Sequence, residues 1–91
     1  MASEQDNEEI FDFPCDFPIK AFGPAVPEFP AKVMALVRAH APETPDSALV
    51  CRTSRAGRYY SVTVTVNAHS RDQLDEIYRA LTRCELVIMA L

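Results

Sequence analysis

Ninety-one residues, 48% of them hydrophobic, with a formal charge of -4, allow one small domain with its own core. No apolar run approaches the roughly 20 residues that a bilayer span needs. The opening Met-Ala-Ser-Glu-Gln-Asp is acidic where a secretory leader is basic and then apolar, so a soluble cytoplasmic protein is expected.

The charge is unevenly placed. Glu4, Asp6, Glu8, Glu9, Asp12 and Asp16 precede Phe17 with no base among them, and the remainder holds nine bases against seven acids. Residues 1–9 read as a disordered acidic leader, most polar up to Asn7, and residues 10–91 as the folded domain. Ile10, Phe11 and Phe13 would anchor the leader to it.

The first strand is expected over Asp16 to Phe22, with Phe17, Ile19 and Ala21 on one face and Pro18 weakening the ladder. Gly23-Pro24-Ala25-Val26-Pro27 then reads as a turn. A helix starts between Pro27 and Pro30, since proline suits only a first turn, and runs to about His40. Phe29, Val33, Leu36, Val37 and His40 share one of its faces, and Ala41-Pro42 ends it.

After the 42–47 loop comes a second strand, Ala48 to about Ser54, turned at Arg55-Ala56-Gly57 into a third from Arg58 to Ala68. That third strand alternates strictly: Tyr60, Val62, Val64 and Val66 on one face; Tyr59, Ser61, Thr63, Thr65 and Asn67 on the other. Such a pattern buries one face and leaves the other open to water or to a partner. Ser70 and Gln73 form a capping box for a second helix, with Leu74, Ile77, Tyr78 and Leu81 as its buried stripe to about Arg83. Leu86 to Leu91 reads as the last strand. The β-α-β-β-α-β order predicts a ferredoxin-like α+β fold: a four-stranded antiparallel sheet, order 4-1-3-2, with both helices on one face.

Candidate sites are few. Gly23 and Ala25 sit where a ligand could meet backbone at a helix start, although Pro24, Pro27 and Pro30 remove donors there; a tight turn is the other reading. Arg52, Arg55 and Arg58 beside Tyr59 and Tyr60 can serve single-stranded nucleic acid or be a solvated hairpin tip. The first is disfavoured because the third strand offers Ser61, Thr63 and Thr65 where an RNA-binding sheet carries aromatic rings. Tyr59, Ser61, Thr63 and Thr65 form a hydroxyl-rich face suited to solvation or to association, including with a second copy. Cys15, Cys51 and Cys84 have neither short spacing nor a histidine pair, so neither disulfides nor a metal is expected. No nucleophile elbow or acid–base pair is evident, so no catalytic residue and no cofactor is expected.

Phe13-Pro14, Gly23-x-Ala25-x-Pro27-Glu28, His40-Ala41-Pro42, Ser54-x-x-Gly57-x-Tyr59-x-Ser61-Val62 and Val87-x-Met89-x-Leu91 together resemble the YbeD-like family of small bacterial proteins, over about residues 10–91. The resemblance implies a ferredoxin-like domain similar to ACT-type regulatory domains, which sense small ligands, and a link to lipoate attachment through gene neighbourhood. It carries no catalytic residue across. The function expected is a non-catalytic regulatory or adaptor module that binds a partner protein or small metabolite, with a homodimer as one form. The alternative is a nucleic-acid-binding module using the Arg52/Arg55/Arg58 hairpin.

Overall fold

The computed structural model describes residues 12–91. The expected acidic leader, its boundary near residue 9 and the anchoring roles of Ile10 and Phe11 lie outside the described residues. Within them, β1 (Cys15–Pro24) leads to α1 (Glu28–Arg38), a single 3-10 turn (Asp46–Ala48) and β2 (Leu49–Thr53). Then come β3 (Tyr59–Ala68), α2 (Arg71–Arg83) and β4 (Met89–Ala90). The four strands pair antiparallel in the order β2-β3-β1-β4, the ferredoxin-like order that the sequence predicts.

The alternation of β3 decides how the layers stack. Val62, Val64, Val66 and Ala68 are fully buried beside Ile19 and Ala21 of β1. Over them lie Phe29, Val33, Met34 and Val37 of α1 and Leu74, Ile77 and Leu81 of α2, one continuous core beneath both helices. Met34 joins the buried face of α1 alongside the expected Phe29, Val33 and Val37, while Leu36 and His40 stay half-buried at its margin. Each of the buried Val, Leu, Ile, Met and Phe side chains contributes about 1.5–3 kcal/mol through removal from water.

Local chemistry sets the ends. The Ser70 hydroxyl accepts from the Gln73 backbone N–H at 3.1 Å, and the Gln73 side-chain Oε1 accepts from the His69 N–H, so two donors at the start of α2 are satisfied. Gln73 also donates through Nε2 to the His40 carbonyl at 2.8 Å, joining the start of α2 to the exit of α1. At that exit, buried Thr44 donates to the Ala41 carbonyl, and Arg38 donates to the Thr44 carbonyl and to Asp46. Gly57, at φ 77°, is the positive-φ residue that closes the β2–β3 hairpin.

Two strand boundaries differ by more than one residue from the reading of the sequence. β1 extends through Gly23 and Pro24, which pair with Tyr60 and Tyr59, so Gly23 is a strand residue and not part of the turn. Pro18 fits inside this strand for a geometric reason. Lys20 turns its N–H towards Leu91, so Pro18 turns its nitrogen to the same side, beyond the stretch of β1 that β4 covers. The last strand is shorter than Leu86–Leu91, because a turn after α2, closed by Val87 N–H on the Cys84 carbonyl, uses Leu86 and Val87 to cover the core. Ile88 and Leu91 still bond to Phe22 and Lys20 on either side of β4.

Candidate functional site: the open face of the sheet

With both helices on one side, the other side of the sheet is uncovered, and strand register fixes its composition. One row runs Val50, Thr63, Lys20 and then Leu91; the next runs Arg52, Ser61, Phe22, Met89. Tyr59 and Pro24 flank the second row, and Thr65 and Pro18 the first. The hydroxyls of Ser61, Thr63 and Thr65 occupy the centre, as the alternation predicts. Around them the neighbouring strands add Val50, 52% exposed, Met89, 49%, and Leu91, 60%, with half-buried Phe22 between. Tyr59 is 48% exposed at the end of the same face.

The face is therefore an apolar surface around a hydroxyl centre, carrying the two cations Lys20 and Arg52. Phe22, Val50, Met89 and Leu91 are residues that reading β3 alone misses. The signals that could have found them are the Met89-x-Leu91 alternation and the even positions of β1. Lys20 lies directly opposite Thr63, so the charge at the centre of the face is already positive.

The Gly23–Ala25 segment presents a different picture. Gly23 is buried, and a Cβ there would run into the ring of Phe29 and come within 2.6 Å of the Leu86 carbonyl oxygen. Three amides of this stretch are engaged within the fold: Ala25 donates to Arg58, Val26 to Pro24, and Phe29 to Val26. Pro24, Pro27 and Pro30 have no N–H to offer. The glycine is explained by the closeness of a ring to a strand backbone.

Arg52, Arg55 and Arg58 are all exposed around the β2–β3 hairpin and enter none of the ion pairs among the described residues, which join Arg38 to Asp46 and Arg79 to Glu76. They do not form one row: Arg52 belongs to the open face beside Ser61, whereas Arg55 and Arg58 lie in the turn beyond the strands.

The described residues contain no group of three or more His, Cys, Asp or Glu able to hold a metal ion. Cys15, Cys51 and Cys84 are free thiols. Partial desolvation pushes the Cys51 thiol above its usual value, away from the thiolate that a nucleophile needs. A cleft of about 510 Å³ between the helices sets Lys32, Arg83 and Glu85 around Leu36 and Leu86. A second, of about 380 Å³, brings Asp16 and Glu43 beside Val50, Thr65 and Asn67 at one end of the open face. No described helix is long and apolar enough to cross a membrane.

Comparison with known proteins agrees with this architecture. Residues 8–91 match the family described as "Protein of unknown function (DUF493)". A UPF0250 protein of Paraburkholderia phytofirmans is 48% identical over 85 residues, covering 93% of this chain and 96% of its own. One from Neisseria gonorrhoeae is 42% identical over 91 residues, covering all of both chains. Among solved structures, the solution structure of protein HP0495 from H. pylori superposes with a TM-score of 0.69 at 15% identity, over 89% of this chain and 85% of that one. That likeness is one of fold.

Proposed function

The chain belongs to the DUF493 family, and for this member we propose a non-catalytic binding module that engages a partner protein through the open face of its sheet. One observation carries the reading: Val50, Met89, Leu91 and Tyr59 stand exposed on a single face, with Ser61 and Thr63 between them. Lone exposed apolar residues need no explanation, but a group on one face is the usual mark of a contact surface. Small hydroxyls let a partner approach closely, and Tyr59 and Met89 are the amphipathic and adaptable side chains that interfaces favour.

The chemistry of the face describes its partner. Lys20 and Arg52 border the apolar residues, so the complementary surface pairs apolar side chains with carboxylates. A regulatory or adaptor role follows from binding without chemistry. Ligand sensing at the Gly23–Ala25 segment is less supported because Ala25, Val26 and Phe29 spend their N–H groups within the fold, and a link to lipoate attachment rests on the family resemblance alone.

The test is capture of partners from lysate of the source bacterium by the unmodified chain and by Thr63→Glu. A glutamate there faces Lys20 and costs the monomer little, whereas a lysine would oppose a like charge. A protein retained by the unmodified chain and lost from Thr63→Glu supports the proposal; capture indifferent to the substitution overturns it. The nucleic-acid reading makes a different demand. Affinity for single strands would fall steeply with salt and vanish in Arg55→Glu and Arg58→Glu while surviving Thr63→Glu.

A further inference from the structure

The sheet has two edges, and they are unequal. β4 is short and follows directly from the turn after α2, whereas β2 presents Leu49 to Thr53 with no strand beyond it. Edge strands are usually guarded by lysine, proline or a bulge. Leu-Val-Cys-Arg-Thr has no lysine or proline, and its pairing with β3 runs without interruption from Leu49–Val64 to Thr53–Tyr60.

The phase of that ladder determines what the edge offers. Ser54 donates to the Tyr59 carbonyl, so Arg52 and Val50, at two-residue steps, also bond inwards to β3. Cys51 and Thr53 therefore turn both backbone groups outwards. Leu49 turns out its carbonyl, its N–H being held by the Asp46 carbonyl. These groups complement themselves. In an antiparallel pair centred on Cys51, that residue exchanges both hydrogen bonds with Cys51 of the second copy. Thr53 of each copy donates to the free Leu49 carbonyl of the other.

The charges follow the same symmetry. Glu43 and Asp46, the second already paired with Arg38, precede β2, and Arg52, Arg55 and Arg58 end it or follow it. Antiparallel self-pairing brings the acidic approach of one copy against the basic hairpin of the other, twice. It places Arg52 of one copy opposite Val50 of the other, at the rim of the cleft that holds Asp16 and Glu43. No intramolecular acid meets these arginines among the described residues.

We infer that β2 is a homodimerisation edge: two copies join β2 to β2 about a two-fold axis at Cys51, giving one eight-stranded sheet whose helices all lie on one side. This goes beyond the open-face reading, because it uses the edge and takes from that face only its β2 margin, Val50 and Arg52.

Sedimentation velocity of the full chain over a range of concentrations tests it. The expected result is a monomer–dimer equilibrium that weakens with salt, since the charged pairs are partly exposed. Arg52→Glu with Arg55→Glu should weaken it roughly tenfold or more, by replacing attraction with repulsion. Adding Glu43→Arg to that variant should recover dimer. Cys51→Pro removes an outward N–H and none from the ladder to β3, so it should give a folded monomer by circular dichroism. With Cys15 and Cys84 replaced by serine, a short bis-maleimide should link Cys51 to Cys51. A monomer at every concentration, or a dimer unaffected by both the charge reversal and Cys51→Pro, overturns the inference. A dimer lost on Thr63→Glu but not on Cys51→Pro also overturns it and transfers self-association to the open face.

Discussion

Gly23 and Phe29 share one small volume: the phenylalanine ring lies where a side chain on Gly23 would have to be, with the Leu86 carbonyl closing the space from the other side. Phe29 is fully buried, so the ring cannot step aside into solvent. Gly23→Ala should therefore destabilise the fold by about 1–3 kcal/mol through overpacking, read as a lowered denaturant midpoint. The double variant Gly23→Ala/Phe29→Leu should recover part of the loss. If Gly23→Ala melts like the unmodified chain, the close approach is wrong.

Val64 and Thr63 are neighbours on opposite faces of β3, one fully buried and one on the open side. Val64→Ala should cost roughly 1–3 kcal/mol by lost burial and a residual cavity. Thr63→Ala should cost well under half of that. Equal melting temperatures would contradict the two-faced sheet.

The start of α2 rests on Ser70, whose hydroxyl holds the Gln73 amide. Ser70→Ala should cost about 1 kcal/mol, and Ser70→Asp should preserve stability by supplying another acceptor next to the positive end of the helix dipole. Thermal unfolding of the three chains separates the cases.

Tyr78 is half-buried, and desolvation raises its hydroxyl above the usual tyrosine value. The folded state thus favours the neutral phenol. That preference contributes in full below the ordinary tyrosine range and is lost as pH rises through the raised value. Stability should fall on the alkaline side of that range, and Tyr78→Phe should flatten this part of the profile in denaturant titrations at several pH values.

Much of the fold is legible in the sequence because its signals are local. Tyr60 to Val66 announces a two-faced strand by period alone, and Ser70 with Gln73 marks a helix start within four residues. The site is less legible because it is assembled across strands. Val50, Phe22, Met89 and Leu91 come from three separate stretches and become neighbours of Thr63 and Ser61 only through register. Gly23 misleads for a related reason. Next to prolines it looks like a turn residue, and only the ring of Phe29, six positions on, reveals why it has no side chain. The length of β4 depends on how many residues the exit from α2 consumes, which composition does not encode.

The strand order has a consequence for how the molecule comes apart. The two central strands, β1 and β3, belong to different halves of the chain, and they pair along ten positions from Cys15–Ala68 to Pro24–Tyr59. Each half places its second strand at the far side of the other half's first, so neither β-α-β unit can cover its own apolar surface alone. Unfolding should therefore be all-or-none, with helix and core signals lost together. Folding should wait on a pairing between residues far apart in sequence, which places this chain with the slower of the small mixed domains.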